Sequence, residues 1–384
     1  MRISTRQSGL SIIEMMVGLV IGMITVLVVV NSMSFVEGQR RGTNSGLDAV
    51  NNATLAAYLI ERDVRMAGYG LTSAENNGLT NVCAGRKVLM YNQTRSPAEF
   101  EFDVGHFVPI VINPTGYPAG DANTDVLMIN YTGSDLGVAS IGIDFEQQSG
   151  ASANYKVGNR NAFRTGDLVI AVEAGEDCVV SEITGLPGDP KCNEPGSNTD
   201  VVIHNNGQYN NSYKGCSKVD STWNKPGGLG VTFSSGKLYT LGQPDEIHST
   251  LFAVRNGQLT ICDVFARDCT KTSEWQSVAS DIVGLRAELA LDTNEDGTVE
   301  TWRAGLCSGV GCVPTADQVT QLRLARIAVV ARSQKYERTA ITQTAPAWQG
   351  QTTLGVSALT DWDHYRYHVS EALIPIRNTT WAKR

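Results

Sequence analysis

"LSIIEMMVGLVIGMITVLVVV", residues 10–30, carries a single charge, Glu14, and nothing else more polar than Ser11 and Thr25. As an α-helix it would be ~31 Å long at ~1.5 Å per residue, close to the ~30 Å hydrocarbon core of a bilayer. The residues before it include Arg2 and Arg6 and no acid, which predicts a cytoplasmic N-terminal flank and a body on the far side of the membrane. A secretory signal is the competing reading. Its apolar region should be only ~7–15 residues long and end in an A-x-A-like cut site, whereas this run offers Ser32-Met33-Ser34.

Glu14 separates a plain anchor from something more specific. An ionised side chain inside a bilayer costs at least ~2.5–3.5 kcal/mol on insertion scales and is usually kept for a partner. No basic residue lies between Leu10 and Val30. Cleavage after Gly9 would create one, the α-amino group of Leu10, on this chain or on a neighbouring helix. Glu14 would then stand in the first helical turn, where negative charge suits the macrodipole.

The basic leader, Gly9, and Leu10-Ser11-Ile12-Ile13-Glu14 resemble the class III leader of type IV pilins and pseudopilins. The resemblance implies cleavage after Gly9 by prepilin peptidase and N-methylation of Leu10. It also implies that Glu14 pairs with the N-terminal amine of an adjacent subunit and sets register in a filament. Many major pilins carry a proline late in this helix; here Asn31 and polar neighbours follow the run, and the first proline is Pro97.

Composition fits a membrane-anchored envelope protein. The chain has 384 residues and a formal net charge of −8, which argues against a broad basic surface for nucleic acid. Eight cysteines, Cys83, Cys178, Cys192, Cys216, Cys262, Cys269, Cys307 and Cys312, read outside the cytoplasm as up to four disulfides. The close pairs 262/269 and 307/312 could each close a small loop. Their spacings do not suit a zinc ribbon or finger.

Three domains of organisation are expected: a cleaved leader over residues 1–9, a helix over 10–70 that spans the membrane at 10–30, and a β-rich periplasmic head over 71–384. Gly38, Gly42 and Gly46 recur at four-residue spacing, and each costs ~1 kcal/mol in a helix interior, so a hinge or local break is expected there. Beyond it, Val50, Ala53, Ala57, Ile60, Val64 and Ala67 form one helical stripe, and Leu55, Leu59 and Met66 a second. Two apolar faces suit a helix that packs its own head on one side and a filament core on the other; deep burial in the head is the alternative. Gly68 and Gly70 should stop the helix.

After residue 70 the pattern becomes short β-rich runs, including "DVLMINYTG", "DLVIAVEAG", "DVVIHNNG", "LRAELALDTN" and "IAVVARS". "LFAVRNGQLTIC" reads as a hairpin turning at Asn256-Gly257. Residues 184–230, rich in Gly, Pro, Asn and Ser, predict an irregular surface insertion tied down by cysteines. A long helix laid on an antiparallel sheet is an α+β architecture, and a pilin-like head of this kind is also what the pilin resemblance implies.

"RDVRMAGYG" at 62–70, "LALDTNEDGTVETWR" at 289–303, "LRLARIAVVARS" at 322–333 and "YRYHVSEALIPIRN" at 365–378 occur in an order that resembles the PilW family of minor pilins. That resemblance implies a subunit that primes the type IV pilus with other minor pilins and the major pilin. It further implies a place at or near the tip, where such proteins help display a large adhesin at the cell surface. The competing family is the minor pseudopilin of type II secretion. Motility, adhesion and DNA uptake are not separated by the sequence.

"DTNEDGTVE" places Asp292, Asn294, Asp296, Thr298 and Glu300 at positions 1, 3, 5, 7 and 9 of a loop resembling the EF-hand type, with Gly297 for the sharp turn. Position 12 is Arg303 rather than a bidentate glutamate, and a metal-free polar β-turn is the alternative to Ca2+. Enzyme signatures are weak. His364 and His368 stand four apart in a segment that alternates as a strand, His106, His204 and His248 are isolated, and no G-x-S-x-G, H-E-x-x-H or phosphate loop occurs. A membrane-anchored hydrolase would need residues that converge only in space.

Overall fold

Ser11 opens a helix that runs without interruption through α1 (Ile12–Met66). The computed structural model describes Gly9 and residues 11–71, 86–103, 108–133, 143–148, 154–197, 199–306 and 314–378. Val- and Ile-rich sequence has no special helix propensity; in an apolar medium, such as the bilayer its length suits, a helix is the form that satisfies every backbone hydrogen bond. The stop lies where glycine permits it. Gly68 and Gly70 adopt φ of 79° and 71°, and a Cβ on Gly70 would fall 1.9 Å from Thr132 Oγ1. The Gly68 N–H donates to Asn130 O at 2.9 Å, tying the helix end to the head.

In chain order the head begins with β1 (Lys87–Tyr91), β2 (Glu99–Asp103), β3 (Ile110–Ile112), β4 (Leu127–Thr132), β5 (Ile143–Gln148) and β6 (Asn154–Val157). There follow β7 (Leu168–Val172), β8 (Cys178–Glu182), β9 (Val201–Ile203), β10 (Gln208–Asn211), β11 (Ser217–Asp220) and β12 (Phe233–Gly242). The last part holds β13 (Ile247–Arg255), β14 (Gln258–Asp263), β15 (Gln276–Ser280), β16 (Ile282–Leu291) and β17 (Thr301–Arg303). The short helix α2 (Ala316–Thr320), β18 (Leu322–Arg332) and β19 (Tyr367–Pro375) complete it.

Among the described residues these strands form a four-stranded sheet β17-β16-β18-β19, a five-stranded sheet β15-β14-β13-β4-β3, an eight-stranded sheet β2-β1-β8-β7-β12-β5-β6-β9 and the pair β10-β11. Pairing is antiparallel except between β1 and β8. The architecture is α+β and pilin-like, a long helix on antiparallel sheets.

The helix packs on the four- and five-stranded sheets through Ala49, Ala53, Ala56, Ala57, Ile60, Val64 and Ala67, all in one apolar core with Leu127, Phe252, Leu285, Ile327 and Ile374. The alanines let the helix axis approach the sheet; Ile60 and Val64 then fill the space beneath. Ile60 is fully buried, so its truncation to alanine should cost ~2–5 kcal/mol. Strand β18 alternates: Ala325, Ile327, Val329 and Ala331 face the helix, while Ala328 and Val330 face a second cluster with Leu354 and Val356.

The glycines at 38, 42 and 46 do not break α1, contrary to the expectation drawn from their helix cost. Gly42 is buried, and a Cβ there would meet Glu337 Oε1 at 3.3 Å and Lys335 Nζ at 3.8 Å. The missing side chains make room for a loop of the head. Lys335 uses its N–H on Ser45 Oγ at 3.2 Å and its ammonium on Gly38 O at 3.3 Å, which holds the turn helical.

Residues 184–230 are more ordered than an irregular surface insertion. They contain β9, β10 and β11, and they bury Leu186, Val202, Tyr209 and Trp223. Glu182 organises them: its carboxylate accepts from the Thr222 and Trp223 N–H groups at 2.8 and 3.0 Å, from Ser221 Oγ at 3.0 Å and from the Tyr209 hydroxyl at 2.6 Å. Cys192 and Cys216 close this region as a disulfide, and Cys262 and Cys269 close a second, short loop. Cys178 is also disulfide-bonded. Cys83, Cys307 and Cys312 lie outside the described residues.

Candidate functional sites: the anchor helix and the acidic loop

Ser11 and Glu14 form a reciprocal cap at the start of α1. The Ile13 N–H donates to Ser11 Oγ at 3.3 Å, and the Ser11 N–H donates to Glu14 Oε2 at 3.1 Å. Two of the helix's orphan donors are thereby satisfied. Gly9 is exposed, and Leu10 lies outside the described residues. Beyond the cap the helix is bare: Ile12, Leu19, Met23 and Val30 are 78, 68, 65 and 53% exposed. No part of its most apolar stretch is buried in the head. Long unpartnered apolar surface of this kind supports membrane anchoring.

The second half of α1 has two faces. One is the alanine-rich stripe on the sheets; the other leaves Leu55, Tyr58 and Met66 exposed by 47, 61 and 41%, with Leu59 half-buried. Leu55 and Met66 of the second stripe are therefore apolar surface that the head does not cover.

The acidic loop joins β16 to β17. Asp292, at the end of the buried strand, is itself fully buried, while Asn294, Asp296 and Glu300 are exposed. The loop turns at Glu295 and Gly297, with φ of 63° and 92°. Asp292 Oδ2 accepts from the Gly297 N–H at 3.2 Å and from Arg323 Nε at 3.1 Å. Asp296 Oδ1 accepts from the Thr298 N–H at 2.8 Å and from the Thr298 hydroxyl, whose oxygen also lies 3.1 Å from Glu300 Oε1. Hydrogen bonds from Thr298 hold the Asp296 carboxyl below its usual range. Glu300 Oε2 accepts from the Thr293 N–H at 2.8 Å. Arg303 lies on β17 opposite Leu289.

Residues 239–378 match the family model of PilW, the type IV pilus-assembly protein W. The PilW match begins within β12, takes in the whole four-stranded sheet on which α1 lies, and ends just after β19. Three of the four sequence blocks, 289–303, 322–333 and 365–378, fall inside it; residues 62–70 and the leader do not. The match supports a role in type IV pilus assembly and suggests other pilus components as partners. No curated protein and no solved structure matches the chain.

Within the PilW-matched segment two of the three histidines make ring contacts. His364 sits in a short 3-10 turn, not on a helix with His368; its ring stacks on Tyr336 at 4.8 Å and its Nδ1 lies 2.6 Å from Glu337 O. His368 stands on β19 opposite Ala331, and His248 packs on Tyr131 at 4.5 Å. Outside it, His204 stacks on Tyr155 at 4.3 Å; His106 lies outside the described residues. A family of pilus components is weak support for a non-enzymatic chain.

Sequence reasoning missed Arg323 and Lys335. Arg323 follows the first residue of a buried strand, a signal that it turns outward to meet a charge, but its carboxylate lies 31 residues away in sequence. Lys335 gave no signal, because its acceptor is a backbone carbonyl of the helix.

Proposed function

We propose that this chain is a minor pilin, anchored in the inner membrane by residues 10–30 with its head in the periplasm, that primes type IV pilus assembly and stays at or near the tip. The observation that carries the reading is α1: a bare apolar half headed by Glu14, continuous with a half that packs the PilW-matched sheet on one face and exposes Leu55, Tyr58 and Met66 on the other. That is the form required of a subunit whose helix leaves the bilayer for a bundle of similar helices. Its partners would be other minor pilins, the major pilin and a large tip adhesin. Prepilin peptidase would cut after Gly9, leaving an N-methylated Leu10 whose amine neutralises Glu14. The match to a pilus-assembly family favours the pilus over type II secretion.

Glu14→Gln tests this sharply. Glutamine retains the capping geometry but loses the charge, so a helix defect and a charge defect are separated. Expected is a processed, membrane-inserted chain beginning at methylated Leu10, with surface pili strongly reduced and the protein absent from the sheared pilus fraction. Normal piliation by Glu14→Gln, or an intact Met1 in cells with active prepilin peptidase, would overturn the reading.

A further inference from the structure

The β16–β17 loop brings one carboxylate oxygen from each of Asp292, Asp296 and Glu300 within 4.8 Å of the other two. Three anions this close repel one another, and hydrogen bonds from Thr298 and Thr293 answer only part of that charge. The second observation is independent of the clustering. Asp292 is 0% exposed, and its Oδ1 has no hydrogen-bond partner among the described residues. A buried carboxylate oxygen with no donor is costly, and Oδ2 already holds the Gly297 N–H and the Arg323 guanidinium. What Oδ1 lacks is a partner.

We propose that residues 292–300 bind one Ca2+, with Asp292, Asp296 and Glu300 as carboxylate ligands and Asn294 and the Thr298 carbonyl completing an oxygen shell. Three carboxylates less one guanidinium leave the site with negative charge that suits a divalent ion. An irregular loop offering carboxylate, amide and backbone oxygens suits Ca2+, which accepts six to eight ligands in flexible geometry, better than Mg2+, which demands a near-ideal octahedron. Because Arg303 replaces the bidentate glutamate, affinity falls to the range of extracellular modules, ~10⁻⁴–10⁻³ M. Asp292 is anchored to the body through its N–H on Gln321 O at 2.9 Å and its pair with Arg323. A bound ion would therefore clamp the exposed tip of the β16–β17 hairpin to the start of β18.

Titration calorimetry of Ca2+ into the detergent-solubilised full chain tests this. Expected is one saturable site at roughly 0.1–1 mM, with Mg2+ at least about tenfold weaker. Asp296→Asn and Glu300→Gln, both at exposed positions, should each weaken binding at least about tenfold while the metal-free head melts as before, and Asp292→Asn should abolish binding. No saturable heat up to about 10 mM Ca2+, well above the extracellular range, would overturn the site. So would Ca2+ binding that survives both exposed substitutions; they keep the test valid even if Asp292→Asn fails to fold.

Discussion

The Lys335 ammonium donates to the carbonyl oxygen of Gly38 at 3.3 Å, so a cation of the head grips the backbone of α1 where its glycines recur. Glu337, 3.2 Å from the same ammonium, fills the space that a side chain at residue 42 would occupy. Gly42 is thus a docking point on an unbroken helix rather than a joint within it.

Gly42→Leu should expel Glu337 and Lys335 from that point. Overpacking of this kind typically costs ~1–3 kcal/mol, and trypsin should cut faster at Lys335 and Arg338. Unchanged melting together with unchanged cleavage would show that the docking point contributes nothing to holding the loop.

Gly38→Ala should act in the opposite direction. No atom lies within 4 Å of a Cβ at residue 38, so the substitution removes only glycine's entropic cost, ~0.5–1 kcal/mol. Helical circular dichroism of the solubilised chain should persist to a higher temperature. A loss of helicity would mean that this turn depends on glycine for a reason other than space.

The two disulfides of known pairing should contribute unequally. Chain-entropy arithmetic gives ~2.5 kcal/mol for the loop closed by Cys262–Cys269, whose sequence separation is 7, and ~3.5 kcal/mol for Cys192–Cys216, whose separation is 24. Paired serine substitutions, compared by denaturant midpoint, read this order directly. A larger loss at 262/269 would point to its buried setting, where Trp275 Nε1 donates to Cys269 O at 3.0 Å, as the greater term.

Acid titration should reveal Asp167. Burial pushes its carboxyl up from 3.8 to about 6, against hydrogen bonds from the Tyr213 hydroxyl and the Arg164 N–H that favour the ionised form. Between those values the folded chain keeps a proton that the unfolded chain has lost, so Asp167's contribution is fullest below about pH 4 and is lost as pH rises to about 6. The stability of wild type relative to Asp167→Asn should fall across that window by up to ~3 kcal/mol. A difference that is flat with pH would place the carboxyl in its ordinary range.

The sequence alone was enough for the apolar run with its single acid, the strand runs, the Asn256-Gly257 turn and most of the packed helical stripe, on which Val50 proved exposed and Ala49 and Ala56 buried. These are local patterns: periodicity, length against a bilayer and residues that tolerate positive φ, all readable without knowing what lies opposite. Asp292, Asp296 and Glu300 were legible together because one loop carries them. The tertiary structure alone decided that the helix stays unbroken and Gly42 makes room for the head, that residues 184–230 gather around Glu182, that Cys192 joins Cys216, and that Arg323 occupies one oxygen of Asp292 while the other lacks a donor. Each of these turns on which distant groups meet in space, and chain separation carries no trace of that distance.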